Sequence, residues 1–194
     1  MHSLLALDDW LRTIDFWQPA PQLLLALQRG EALSDAHVAE LASGKYIKSW
    51  QAGIVLRALP LERLIPHAET LLGHLQDSNW PAFPDVAEVV RAMGTAAIPA
   101  IQHVFQTDPR DGDWMERILW SVVDYWEDDC VQQLQPTLIA YVHFAERGGA
   151  SIAALETLER VLLPDKHVAL YQELRTLYAD SAELTTKLQQ AFQY

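Results

Sequence analysis

Apolar residues return every third or fourth position along almost the whole chain, and no long stretch alternates apolar with polar. That spacing puts them on one face of a helix, whereas a half-buried strand needs a period of two. The pattern predicts helices over roughly 3–16, 20–29, 34–43, 46–59, 61–76, 81–93, 96–107, 113–128, 131–147, 150–163, 166–179 and 181–192. Ser34 and Asp165 precede such runs, where a side-chain oxygen can accept from the first free N–H groups. Gly30, Gly44, Gly94 and Gly148 follow such runs, as C-terminal stops do.

The helices repeat. Three segments align: LIPHAETLLGHLQDSNWPAFPDVAEVVRAMG from Leu64, AIPAIQHVFQTDPRDGDWMERILWSVVDYW from Ala97, and LQPTLIAYVHFAERGGASIAALETLERVL from Leu134. Each opens on an apolar pair or near-pair and a proline, Pro66, Pro99 and Pro136, 33 and 37 residues apart. Proline suits a first helical turn, where its missing N–H is no loss. A second helix is expected to start at Trp80 and at Trp114, 34 residues on, and Trp50 opens an earlier one. Two helices per unit of about 30–40 residues indicate an all-α solenoid of antiparallel helix pairs in a single domain. Residues 45–163 then hold the repeats, 1–44 are N-terminal helices or a cap, and 164–194 are C-terminal capping helices.

Between two of the predicted helices lies LQDSNWPAFP, Leu75–Pro84. Asp77, Ser78 and Asn79 suit a joint that closes one helix and caps the next. The recurrence of Trp80 as Trp50 and Trp114 favours a packing role. Pro84 fits poorly in a helix begun at Trp80, so a start at Pro81 with an irregular turn, or one near Pro84, is expected.

Leu75, Asp77, Asn79, Trp80, Pro81, Val86, Ala87 and Gly94 form an LxDxNWP pattern followed by VAEVVxxxG. Over roughly residues 45–145 the chain resembles an uncharacterised bacterial family of HEAT-like domains with no assigned activity. That resemblance implies a right-handed HEAT-like array. Phe83–Pro84 departs from the pattern, which leaves the helix start open.

Charge narrows the function. Asp plus Glu number 26 against 14 Lys plus Arg, a formal charge of −12. Phosphate binding relies on clustered Lys and Arg, so nucleic acid is not an expected partner, and a basic protein is. HEAT-like DNA glycosylases use a basic face, the opposite sign. The N-terminal stretch has no basic start and carries Asp8 and Asp9, unlike a signal peptide, and no apolar run reaches the ~18 residues of a membrane span. A cytoplasmic protein is expected.

Catalytic and metal signatures are sparse. The seven histidines form no HExxH and no His-x3-His pair; His67 and His74, seven apart, could share a helix face. The lone Cys130 can form no intrachain disulfide, and Asp128 and Asp129 beside it should raise its pKa and suppress the thiolate. GxSxG, GxxxxGK[ST] and GxGxxG are missing. No catalytic residue, cofactor or metal ligand is assigned, and the chain is read as a non-enzyme.

The negative charge is concentrated. Asp108, Asp111, Asp113, Glu116, Asp124, Glu127, Asp128 and Asp129 face only Arg110 and Arg117, six net charges in 22 residues and half the total. In the helix predicted there, Trp114, Met115, Ile118, Leu119, Val122, Val123 and Trp126 should face the core. Glu116, Trp120, Asp124, Glu127 and Asp128 should share the opposite face, with Trp120 set in an acidic stripe as an interface anchor. With Asp113, and with Asp85 and Glu88 from the preceding second helix, they would form an acidic concave groove for a basic partner. A small acidic binder of this kind fits an immunity protein that neutralises a bacterial toxin, and a nuclease toxin suits it best because its cleft is basic. The alternatives are an adaptor for a peptide or housekeeping protein and, behind that, an enzyme with a metal or carboxylate site between repeats.

Overall fold

The helical period is realised along the chain. The computed structural model describes residues 7–15, 19–29, 33–107, 111–143 and 149–191, and within these the regular secondary structure is helical throughout. Gly30, Asp108, Arg110 and Gly148 lie outside the described residues. The fold divides into two compact units, Met1–Met93 and Gly94–Tyr194.

The first unit contains α1 (Leu7–Leu11), α2 (Pro21–Gln28), α3 (Asp35–Ala42), α4 (Trp50–Ala58), α5 (Leu61–Leu64), α6 (Ala68–Gly73) and α7 (Phe83–Met93). Ser34 caps α3 by accepting from the His37 N–H at 3.3 Å, and Ser49 caps α4 by accepting from Ala52 at 3.2 Å. Helix α4 packs on α2, α3 and α7, and α7 also meets α5 and α6. Leu27, Leu41, Ala52, Val55, Leu56, Leu71, Leu72, Val86 and Val90 are all fully or almost fully buried in this unit. Gly94, with φ at 52°, follows α7 in the left-handed conformation that favours glycine at a helix end.

The second unit contains α8 (Ile98–Thr107), α9 (Gly112–Ser121), α10 (Asp128–Val131), α11 (Gln135–Val142), α12 (Gly149–Glu159), α13 (Pro164–Leu177) and α14 (Ala182–Ala191). Helix α12 lies against α9, α11 and α14, and α11 also meets α8. Phe105 and Tyr141 meet with ring centroids 4.8 Å apart at 60°, a tilted pair that joins α8 to α11. The Tyr178 hydroxyl, after α13, donates to the Val142 carbonyl at the end of α11.

Several expected helices are broken. The run predicted over 61–76 is α5, a 3-10 turn at Ile65–His67 and α6, so Pro66 opens its own turn. The predicted 131–147 helix becomes the end of α10, a 3-10 turn at Gln132–Leu134 and α11, with Pro136 in the first turn of α11. The run over 46–59 begins as a helix only at Trp50, and Gly44 opens a 3-10 turn after Ser43 closes α3. Asp165 is not an N-cap: Leu163 holds that position, Pro164 begins α13 and Asp165 lies in its first turn. Helix α7 starts at Phe83, not Trp80, with Pro84 as its second residue, where the missing N–H is harmless.

The break with most bearing on function falls inside the predicted 113–128 helix. Helix α9 stops at Ser121, Val122 turns to φ −125°, ψ −63°, a 3-10 turn covers Val123–Tyr125, and Trp126 is extended. Val122, Val123 and Trp126 are still buried, so the apolar rhythm continues through the break. Adjacent β-branched residues weaken the helix there. Arg160, just past α12, donates to the carbonyls of Asp124 and Trp126 and replaces the bonds a continued helix would have made.

One close approach sets the spacing of α4 and α7. A Cβ on the buried Gly53 would lie 3.1 Å from the Ala82 Cα and 3.0 Å from an Asp85 carboxylate oxygen. Gly53→Val should destabilise the protein by about 1–3 kcal/mol through overpacking. A urea unfolding midpoint equal to wild type would show that these helices are not held so near.

Candidate functional site

Asp85 and Glu88 belong to the first unit, and their surroundings are not those of an open acidic face. Arg57 of α4 reaches both, with Nη1 3.0 Å from Asp85 and 3.2 Å from Glu88. The Asp85 side chain is mostly buried, and burial pushes its pKa up while Arg57 opposes the shift. Asp85 is therefore part of the α4–α7 seam. Glu88 is exposed but shares its cation. Arg57 went unnoticed in the sequence because it lies one repeat earlier, on the neighbouring second helix.

The remaining acids occupy the second unit, where the helix break redistributes them. Asp111 caps α9 by accepting from the Trp114 N–H at 3.0 Å. Asp113 is exposed, 3.8 Å from Arg117 one turn on. Glu116 and Trp120 share a face of α9 four residues apart. Asp124 sits in the 3-10 turn, Glu127 precedes α10 and Asp128 opens it, so these three do not continue the α9 face. Asp128 pairs with Arg160 at 2.9 Å, and this cation also holds the broken segment by its carbonyls.

A different acidic group forms where α12 crosses α9. The carboxyl of Glu156, on α12, is raised in pKa by desolvation first and then by the negative charges of Asp124, Glu116 and Glu159. Asp124 is likewise raised by burial, opposed by Arg160 and by a hydrogen bond from Thr157. Glu116 and Asp124 from the predicted groove are thus joined by Glu156 and Glu159, which lie about one repeat further along. Beside them Trp120 is 44% exposed and Tyr125 is 64% exposed, large values for aromatic rings on a folded surface. The arrangement presents clustered negative charge next to two aromatic faces, and both attract guanidinium and ammonium groups.

Other sequence candidates have structural settings. Trp114 is buried, while Trp50 and Trp80 are half-buried, so the recurring tryptophans are not equivalent. Asp77 accepts from the Asn79 backbone N–H at 2.9 Å and from its side-chain amide at 3.0 Å, which makes LQDSNWPAFP a self-bonded turn; these bonds do not cap α7. His74 is fully buried and His67 is half-buried across a break in the helix. The Cys130 thiol is pushed up, as expected, but the cause is burial. Among the described residues, no three His, Cys, Asp or Glu side chains are grouped to hold a metal ion, and no helix is long and apolar enough to cross a membrane.

One family matches this chain over residues 47–151. The chain belongs to the DUF5071 family, a domain of unknown function. No curated protein and no solved structure matches it. The DUF5071 segment includes α4 to α11 and all the sequence-predicted groove residues, from Asp85 to Asp128. It ends before Glu156 and Glu159.

Like charges held together in the fold are destabilising, and the ionised form of Glu156 is the one disfavoured. Its folded pKa lies above the unfolded value, so this penalty is absent at low pH and grows as pH rises through the unfolded value toward the folded one. Glu156→Gln should therefore raise the melting temperature at pH 7, by about 0.2–0.5 kcal/mol of stability at this exposed position, and not at pH 3. Equal effects at both pH values would mean the carboxylates are too far apart to interact.

Proposed function

We propose that this protein is a non-enzymatic, cytoplasmic binding module whose acidic surface docks a basic protein partner. The observation that carries the reading is the convergence of Glu116, Asp124, Glu156 and Glu159 beside the exposed Trp120 and Tyr125. A folded protein would relieve its own repulsion by dispersing such charges. Keeping them clustered next to exposed aromatic rings suits a partner that brings Lys and Arg, with the carboxylates steering encounter and the rings supplying contact area.

The partner class that fits best is a toxin domain with a basic cleft, a nuclease above all, and the protein would then act as its immunity protein. The scaffold in this reading is a right-handed HEAT-like α-solenoid. Its support is the packing of second helix on second helix within each unit, α4 on α7 and α9 on α12, and of first helix on first helix, α8 on α11. The recurring prolines agree with it. An adaptor for several basic peptides is the rival.

Co-purification from the native host at low and high salt tests the proposal. A single stoichiometric basic partner that dissociates as salt rises is expected, with capture reduced at least about tenfold by Glu116→Lys combined with Glu156→Lys, a loss of about 1.4 kcal/mol. Several weak partners would favour the adaptor. Capture unchanged by the double substitution would sink the acidic surface as the docking site.

A further inference from the structure

Three features lie outside the proposed docking surface: two open cavities beside Arg57, the apolar residues exposed on α13, and a buried histidine in the first unit. The cavities share Arg57, which is already engaged by Asp85 and Glu88, and nothing identifies an occupant. The exposed Val168 and Leu177 of α13 likewise have nothing to say what covers them. The buried histidine, His74, has defined partners.

His74 follows α6 and is completely buried. Its Nε2 lies 3.1 Å from the Ala42 carbonyl and 3.1 Å from the Ser43 carbonyl. Both partners can only accept, so Nε2 carries the proton and the neutral imidazole donates to the pair. Those carbonyls close α3, where a helix leaves acceptors without intrahelical donors. Nδ1 is buried as well, and among the described residues it finds no hydrogen-bond partner. A proton added there would be a buried donor on a buried cation with nothing to receive it, and burial accordingly lowers the His74 pKa against the two carbonyls, which raise it.

The junction held by His74 leads directly to the N-terminal helix. After Ser43 comes the 3-10 turn Gly44–Tyr46. The Tyr46 hydroxyl donates to Asp8 of α1 at 2.6 Å and lies 3.3 Å from a Glu40 carboxylate oxygen of α3. Lys45 bonds Glu40 at 2.7 Å and lies 3.5 Å from Asp8. The charged and titratable groups on α1, on α3 to α7 and on the Gly44–Tyr46 and Ile65–His67 turns are Asp8 and Asp9, Asp35, His37 and Glu40, Lys45 and Tyr46, Arg57, Glu62 and Arg63, His67, Glu69, and Asp85, Glu88 and Arg91. None of them contributes to the His74 shift, which comes from burial and the two carbonyls alone.

We propose that His74 is an acid-sensitive latch: its neutral imidazole fastens the end of α3, and protonation at Nδ1 releases the α3–Tyr46 junction and with it the hold on α1. The sign follows from the preference for the neutral form. The stability contributed by His74 is complete above the ordinary histidine value of about 6.5 and is lost as pH falls from there toward the lower folded value. The device is independent of the acidic surface on the second unit.

The test uses the full chain. Histidine-labelled NMR should show His74, assigned by its absence from His74→Gln, titrating below about 6.5 with Nε2 protonated. Hydrogen exchange at the amides of Ser43, Tyr46 and Ser49, corrected for intrinsic rate, should lose more protection between pH 7.5 and 5.5 in wild type than in His74→Gln, up to the factor of about ten that the one pH unit below about 6.5 allows. Glutamine keeps an N–H donor and cannot titrate. If His74 titrates at or above 6.5, or if both proteins lose protection equally, the latch is overturned. Should the glutamine variant fail to fold, the wild-type titration decides alone.

Discussion

Short helices have many ends, and each C-terminal end leaves carbonyls that must find donors. This protein meets that demand with side chains from about one repeat later in the chain. His74 serves Ala42, Arg160 serves Trp126 and Tyr178 serves Val142, at sequence separations of 32, 34 and 36. Those distances match the spacing of the recurring prolines. An unpaired buried acceptor costs about 1–3 kcal/mol, so each contact fixes where a helix can stop as well as which neighbour it meets. The break after α9, through which the apolar rhythm continues, depends on such a borrowed donor.

The same dependence explains what could be read from sequence. The helical class, most helix positions, the Ser34 cap and the Gly94 stop are local, and periodicity and side-chain chemistry mark them. The break at Val122 is not local. Neither Gly nor Pro marks it, the buried positions continue through it, and the Arg160 that stabilises it lies on the far side of α12. Extrapolating one helical face from Glu116 to Asp128 therefore failed where the apolar pattern alone had no means of objecting. Asp85 shows the converse: its helical face is polar by pattern, yet Gly53 lets α4 come so near that the carboxylate becomes part of a seam.

The acidic surface was half legible. Glu116, Asp124 and Trp120 stood out in the local charge density, whereas Glu156 and Glu159 sit in a stretch of unremarkable composition. Reading one repeat onward from Glu116 along the second helices would have reached Glu156. In a repeat protein, charge is better summed across equivalent helices than along a window of sequence. The sum along the window also overstated the free charge, because Asp128 is held by Arg160 and Asp111 is spent on a helix cap.

Half of the carboxylates at the α9–α12 crossing come from beyond the segment that defines the family. A chain stopped after α11 would keep the acidic stretch that dominates the sequence but would have no second wall opposite Glu116. The surface is thus a conformational epitope, created when α12 closes onto α9 and absent from any earlier stage of the chain's emergence. Relatives that share the family segment yet differ after residue 151 could keep the same helices and present a different pattern of charge at this crossing.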